Sequence, residues 1–367
     1  MTEASGQGRV AAPKGNRTEK SAVTIYDIAR EAGVNPSTVS RALSKPGRIS
    51  ASTEKRIQDA ARKLNYRVNP IARALPTGRT QTIGLIVADI TNPMIFDVVR
   101  GAERSAGERD YTLVLAESEE SSETELRAAM RLTRTVDGLV LASTRLADEQ
   151  IQQLAALKPV VLINRELDGI FSVVADVDQG IAEAVRHLKQ LGHSRVVYLA
   201  GPEQSWMSQR RLERLRQRCS WSNIQVDSIA STSPTVDGGR RAAHQVYAAA
   251  TTAVIAYNDL LAIGLMQELQ DAGVNVPRDL SIIGFDNIFG SDFTSPPLTT
   301  IKSPLLEAGT RAFDSLVEVL DGGTSGLATP GDDGGTARPV PLGTELIIRG
   351  STGPAREDPA SGRTRLG

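Results

Sequence analysis

From Gly33 to Leu43 the chain reads Gly-Val-Asn-Pro-Ser-Thr-Val-Ser-Arg-Ala-Leu. An arginine, three hydroxyls and an asparagine crowd into seven positions, a set rich in hydrogen-bond donors. On a helix such residues can read base edges with an arginine fork and lean on phosphates with hydroxyls. A second polar set closes apolar runs further along: Asp89, Asn92, Ser143, Asn164, Arg165, Asn258, Asp259 and Asp286. Asn, Asp and Arg suit a polyhydroxylated ligand, because each hydroxyl both donates and accepts. Phe96, Trp206 and Phe285 can supply aromatic walls. For each of these residues the alternative is a strand-end cap or a structural hydrogen bond.

The elements that must position the first set lie between residues 24 and 66. Ile25, Ile28, Ala29 and Ala32 recur at helical spacing, with Thr24 and Asp27 placed for a capping box and Gly33 as the stop. A second helix starts with Asn35 as N-cap and Pro36 at its first position, and runs to about Leu43. A third carries Ile57, Ala60, Ala61 and Leu64, capped by Ser50. Two short helices around a Gly-containing turn form a helix-turn-helix. Its second helix turns Val39 inward and leaves Ser37 and Arg41 outside, where Arg41 can pair bidentately with a guanine. A helical hairpin that binds nothing has the same spacing.

The second set belongs to a different pattern. From residue 82 near-continuous apolar runs alternate with amphipathic segments: Ile83–Val87, Leu113–Leu115, Leu139–Leu141, Val160–Ile163, Val196–Leu199, Ala253–Ala256 and Ile282–Phe285. Such runs are strands of parallel sheets covered on both faces, and their number calls for two α/β lobes. Ligands of open parallel sheets bind outside the carboxyl ends of the strands, which selects the polar residues named above. Residues 322–343, rich in Gly and Pro, read as a flexible insertion before a last strand, Leu346–Ile348.

A net charge of −1 hides an uneven distribution. Residues 1–79 hold 15 Lys and Arg against 6 Asp and Glu, and the remainder hold 27 against 37. A basic segment beside an acidic body suits one part that meets a polyanion and another with a separate task, although a solvated basic tail gives the same balance. The single cysteine, Cys219, excludes an internal disulfide framework. His187, His193 and His244 lack zinc-ligand spacing. No apolar run approaches a membrane span, and the polar N-terminus lacks a signal-peptide core, so a cytoplasmic protein is expected. Phosphate-cradling, nucleophile-elbow and metalloprotease motifs are absent from the sequence, so neither an enzyme nor a cofactor is expected.

The run Val23-Thr-Ile-Tyr-Asp-Ile-Ala-Arg-Glu-Ala-Gly-Val-Asn-Pro-Ser-Thr-Val-Ser-Arg-Ala-Leu43 resembles the headpiece of the LacI family of bacterial transcription regulators. The likeness continues through Leu64-Asn-Tyr66, Asn69-Pro-Ile-Ala-Arg-Ala-Leu75, Ile83-Gly-Leu-Ile-Val87, Asp137-Gly-Leu139, Leu191-Gly-His193, Ala256-Tyr-Asn-Asp259, Ile283-Gly-Phe-Asp286 and Leu298-Thr-Thr-Ile301. It spans residues 23 to 354, with order and spacing kept. The resemblance implies an all-α helix-turn-helix headpiece (23–68), a hinge helix and linker (69–80) and a two-lobed α/β effector domain (81–350). That domain is periplasmic-binding-protein-like, with an N-lobe of 81–177 and 303–321 and a C-lobe of 178–302 and 344–350. A disordered basic tail (1–22) precedes it and a polar tail (351–367) follows.

Carried over by position, the resemblance puts Pro36, Ser37 and Arg41 on bases and Asn35, Thr38, Ser40 and Arg48 on phosphates. Leu75 takes the place of a minor-groove wedge, with Arg73 beside it. Arg211, Asn258 and Asp286 become the foremost effector contacts, followed by Asn164, Trp206 and Phe96. The implied function is a homodimeric repressor on a palindromic DNA operator, controlled by a sugar or sugar derivative. A corepressor-dependent regulator and a sugar receptor without a DNA role are the rivals. The segment Trp206–Cys219 departs from the family pattern: Arg214, Arg216 and Arg218 crowd it, which fits a solvated face or an anionic ligand.

Overall fold

A computed structural model describes residues 23–44, 48–66, 78–231, 233–322 and 340–356. The expectations for the basic tail and for the hinge residues Arg73 and Leu75 lie outside the described residues. The chain divides into two compact units, 1–78 and 79–367.

In the first unit α1 (Ile25–Ala32), α2 (Pro36–Ser44) and α3 (Ala51–Lys63) close around Ile28, Val39 and Ile57, all fully buried. The start of α1 is held by Asp27, whose Oδ2 accepts from the Thr24 backbone N–H (2.9 Å) and hydroxyl (2.8 Å). Gly33 stops the helix in the left-handed region at φ 62°, a conformation glycine adopts without a Cβ penalty. That turn delivers Pro36 directly into the first position of α2, where a missing N–H costs nothing.

Among the described residues the second unit holds two six-stranded sheets. The first contains β1 (Thr82–Val87), β2 (Thr112–Glu117), β3 (Gly138–Ala142), β4 (Val160–Ile163), β5 (Phe171–Asp176) and β11 (Val340–Gly343), in the order β11-β5-β4-β3-β1-β2, all parallel. The second contains β6 (Arg195–Ala200), β7 (Gln225–Ala230), β8 (Ala253–Ala256), β9 (Ser281–Asp286), β10 (Thr299–Lys302) and β12 (Glu345–Ile347), in the order β12-β10-β9-β8-β6-β7. Only β12 runs antiparallel, against β10. Helices cover the sheets: α4 (Met94–Glu108), α5 (Ser122–Leu132), α6 (Asp148–Leu157) and α11 (Leu305–Leu320) in the first lobe. In the second lobe they are α7 (Val177–Gln190), α8 (Trp206–Trp221), α9 (Val236–Ala248) and α10 (Asp259–Asp271). This is the doubly covered parallel architecture that the apolar runs require, because strands buried on both faces have no polar alternation. The backbones of α4 and α11 approach at Gly101 and Gly309, where a Cβ on either would strike the other helix.

Two expectations about the C-terminal region are corrected. The segment read as a flexible insertion ends in β11, which pairs with β5 in the register Val340 to Val173. Pro341 obscured it; the strand lies at a sheet edge, where a residue without an N–H is tolerated. The polar tail does not begin at residue 351. Ser351 is fully buried and accepts from Thr299 N–H (2.8 Å) while donating to the Ile282 carbonyl (2.6 Å). Gly353 continues the strap, with its carbonyl on His193 Nε2 (3.1 Å). The polar groups of Ser351 take the place of the ladder bonds of a further strand.

Candidate nucleic-acid interface and ligand cleft

The headpiece presents one polar face. Burial of Val39 and Ala42 in its core turns the opposite side of α2 outward, so Ser37, Ser40 and Arg41 are exposed. Asn35, just before the helix, is exposed, Pro36 and Thr38 are half-buried, and Arg48 is exposed beyond α2. Asn35 accepts through its carbonyl from Thr38 N–H at 2.9 Å, which leaves its side chain at the helix entrance. Tyr26 was missed: it is 65% exposed and lines an open groove with Arg30, Asn35 and Pro36. Its signal was an aromatic ring off the apolar stripe of α1.

In the body, folding brings Arg211 and Asp286 together. Arg211 projects from α8 and Asp286 ends β9, with side chains 4% and 3% exposed. Arg211 Nη2 donates to Asp286 Oδ1 at 2.9 Å, and Nη1 donates to the Tyr257 carbonyl. Its Nε is buried without a hydrogen-bond partner among the described residues. The guanidinium lies 3.6 Å above the Phe285 ring and 5.1 Å from that of Tyr257. A flat cation over aromatic faces is held in orientation as well as in charge. Asp286 sits at φ 99° and Asn287 at φ 53°. Two successive non-glycine residues on the positive side are strained, a feature that concentrates at ligand clamps.

The other expected contacts are placed variously. Asn164 ends β4 at φ 60°, is buried, and reaches Ser143 Oγ at 3.4 Å. Asn258 caps α10: Oδ1 accepts from Leu261 N–H (2.9 Å) and Nδ2 donates to the Pro234 carbonyl (2.8 Å). One amide hydrogen and one lone pair remain for another partner. Trp206 opens α8, half-buried, with Arg210 5.7 Å over its ring. Phe96, in the first turn of α4, is 50% exposed. Phe285 is not a cleft wall; it is 1% exposed and serves as the platform under Arg211. Asp259 is not a ligand contact either. Fully buried, it accepts from Ile288 N–H (2.8 Å), Ser291 Oγ (2.6 Å) and Thr300 Oγ1 (2.5 Å). Burial pushes its carboxyl up to about 7 against those donors. A sequence shows a polar residue at a strand end but not whether its partners come from the next loop.

Tyr257, Arg145 and Ser303 were also missed. Tyr257 packs its ring on Gly201, where a Cβ would lie 2.6 Å from it, and its hydroxyl is 3.2 Å from Ser205 Oγ. Arg145 is buried at the end of β3 and donates to Glu120 Oε2 at 2.7 Å. Ser303 Oγ donates to Asp286 Oδ1 at 3.1 Å. The arginines of α8 divide: Arg218 pairs through Nε with Asp178 at 2.9 Å, and Arg214 bonds Gln217 at 3.0 Å on an exposed face.

A helix-turn-helix unit with a polar outer face, followed by a two-lobed body with a clamped arginine–aspartate pair, defines a transcription regulator with a periplasmic-binding-protein-like body. Residues 24–69 match the model for bacterial regulatory proteins of the lacI family, and 185–352 that for the periplasmic binding protein-like domain. The chain is 33% identical over 344 residues to the transcriptional repressor CytR of Escherichia coli, covering 92% of this chain and 98% of that protein. It is 31% identical to catabolite control protein A of Priestia megaterium, over 82% of this chain and 93% of that protein. Its structure resembles the lac repressor dimer bound to operator and an anti-inducer, with a TM-score of 0.79 and 25% identity over 91% of this chain and 100% of that one. It also resembles a regulator from Enterococcus faecalis with bound ribose, with a TM-score of 0.65 and 30% identity over 75% of this chain and 100% of that one. The chain belongs to the LacI family of bacterial transcription regulators.

Proposed function

We propose that this protein is a homodimeric, ligand-controlled repressor that binds a palindromic operator and responds to a sugar or sugar derivative. One observation carries the reading: an exposed Ser37/Arg41 face on a helix-turn-helix and a buried Arg211–Asp286 clamp occur in one chain. Pro36, Ser37 and Arg41 read bases; Asn35, Thr38, Ser40 and Arg48 hold phosphates, with Tyr26 beside them. Leu75 wedges the operator centre and Arg73 supports it. Arg211 and Asp286 bind effector hydroxyls, Asn164 and Asn258 add amide groups, and Trp206 and Phe96 border the site. The protein acts in the cytoplasm by binding and catalyses no reaction. Among the described residues no helix is long and apolar enough to cross a membrane.

Selection of bound duplexes from a random-sequence pool, at stated salt, tests this reading. A palindrome with a flexible pyrimidine–purine step at its centre is expected, and its loss in the Arg41→Ala variant ties it to α2. Enrichment unaffected by Arg41→Ala would remove the assigned recognition face. Linkage is reciprocal: once an effector is found, operator must change its affinity by the factor by which it changes operator affinity.

A further inference from the structure

Three segments carry the chain between the lobes: residues 176–177, 302–305 and 343–345. They are tied to one another. Thr344 Oγ1 donates to the Asp176 carbonyl at 2.7 Å and accepts from Gly180 N–H at 3.2 Å, joining the first crossing to the third. Lys302 Nζ donates to Glu345 Oε1 at 2.8 Å, joining the second to the third. The lysine pair is half exposed and therefore screened, so the buried Thr344 bonds do most of the tying. Beside the crossings lies a cavity of about 290 Å³, lined by Gln179, Lys302, Pro304, Gly343, Thr344 and Glu345.

Ser303 stands in the second crossing and is buried. Its hydroxyl donates to Asp286 Oδ1, the same oxygen that accepts from Arg211 Nη2. We propose that Ser303 is the positioning residue through which occupancy of the Arg211–Asp286 pair reaches the lobe crossings. The assignment rests on the reading of that pair as the effector site. A ligand hydroxyl that pairs with Arg211 or Asp286 competes with or reorients the bonds on Oδ1, and one of those bonds belongs to the crossing. Asp286 holds a strained backbone position, so the carboxylate stays aligned only while its partners hold it. A ligand shifts an equilibrium only through a difference in affinity between two arrangements. Under the proposal the Ser303–Asp286 bond therefore differs between the two lobe arrangements.

The test measures lobe separation in the full-length protein by pulsed dipolar spectroscopy between spin labels at Glu123→Cys and Gln245→Cys. Both positions are exposed, one on each lobe, and the native Cys219 is fully buried. Dilution with unlabelled protein keeps the measured distance within one protomer. Ser303→Ala is expected to shift or split the distribution by more than about 2 Å, the scale of a domain rearrangement. Ser303→Thr, which keeps the hydroxyl, is expected to match the parent. Ser303→Gly removes the same hydroxyl and is expected to shift the distribution too; it serves if Ser303→Ala does not fold. A Ser303→Ala distribution superimposed on the parent overturns the proposal, as does an equal shift in Ser303→Thr. With Ser303→Ala unfolded, an unchanged Ser303→Gly distribution does so. The measurement uses neither DNA nor effector, so its failure is distinct from failure of the DNA selection.

Discussion

Removing the Asp286 carboxylate leaves the Arg211 guanidinium charged in a site where it is 4% exposed. Arginine does not escape by losing its proton, so the charge stays buried and uncompensated. Breaking such a pair from one side costs about 3–5 kcal/mol. At roughly 2–4 °C per kcal/mol for a large domain, Asp286→Ala is expected to lower the melting temperature of the body by roughly 6–20 °C. Replacing both partners with apolar residues, Arg211→Met with Asp286→Leu, removes the stranded charge. It also strips the Tyr257 carbonyl of its Arg211 donor, so a deficit of about 1–3 kcal/mol remains. Differential scanning calorimetry of the full-length variants reads both values. A double variant that loses as much as the two single variants summed would refute the reasoning. So would an Asp286→Ala loss below about 1 kcal/mol, which would mean that water already screens the pair.

Arg41→Ala is expected to weaken binding to the selected palindrome by roughly 5- to 150-fold per half-site, from about 1–3 kcal/mol per bidentate base contact, and to relax the preference at that base pair. Fluorescence anisotropy against single-base variants checks it. Arg48→Ala is expected to weaken all sequences alike and to flatten the plot of log affinity against log salt by roughly 2 for the dimer. Asp259 titrates at about 7 in the fold, above the ordinary value of 3.8, so the folded state binds the extra proton. Its contribution to stability is full below 3.8 and is lost as pH rises through 7. The gap in urea midpoint between the parent and Asp259→Asn, followed from pH 4 to 8, should therefore move against the parent. Burial holds His187 and His193 below the usual histidine value, but they act on both proteins and cancel. Gly309→Ala is expected to destabilise the first lobe by about 1–3 kcal/mol, because its Cβ meets the α4 backbone rather than a yielding side chain. Thermal unfolding reads the loss, and an unchanged melting temperature would mean that α4 and α11 separate freely.

Much of the fold was legible because its elements depend on neighbours in sequence. Thr24, Asp27, Gly33 and Pro36 act within a turn or two, so the three headpiece helices and their outward Ser37 and Arg41 could be read directly. The apolar runs announced parallel strands because burial on both faces leaves no polar position to confuse them. β11 was hidden for the opposite reason: an edge strand carries one row of ladder bonds and tolerates Pro341.

A helix-turn-helix with a basic segment, two parallel α/β lobes and the polar residues available at strand ends could all be read from neighbours along the chain. Tertiary structure alone decided what those residues do. Arg211 and Asp286 are 75 positions apart and become a clamp only when α8 packs on β6 and β7 and the sheet brings the end of β9 within reach of Arg211. Asp259, from a similar strand end, is taken up by Ser291 and Thr300 on elements that follow it. Ser303 gained its partner because β9 and β10 are adjacent in the sheet, so the crossing after β10 lies beside the end of β9. Local patterns encode which element forms. The partner of a buried polar group is set by long-range packing, where desolvation makes each unpaired atom costly and admits only arrangements that satisfy it.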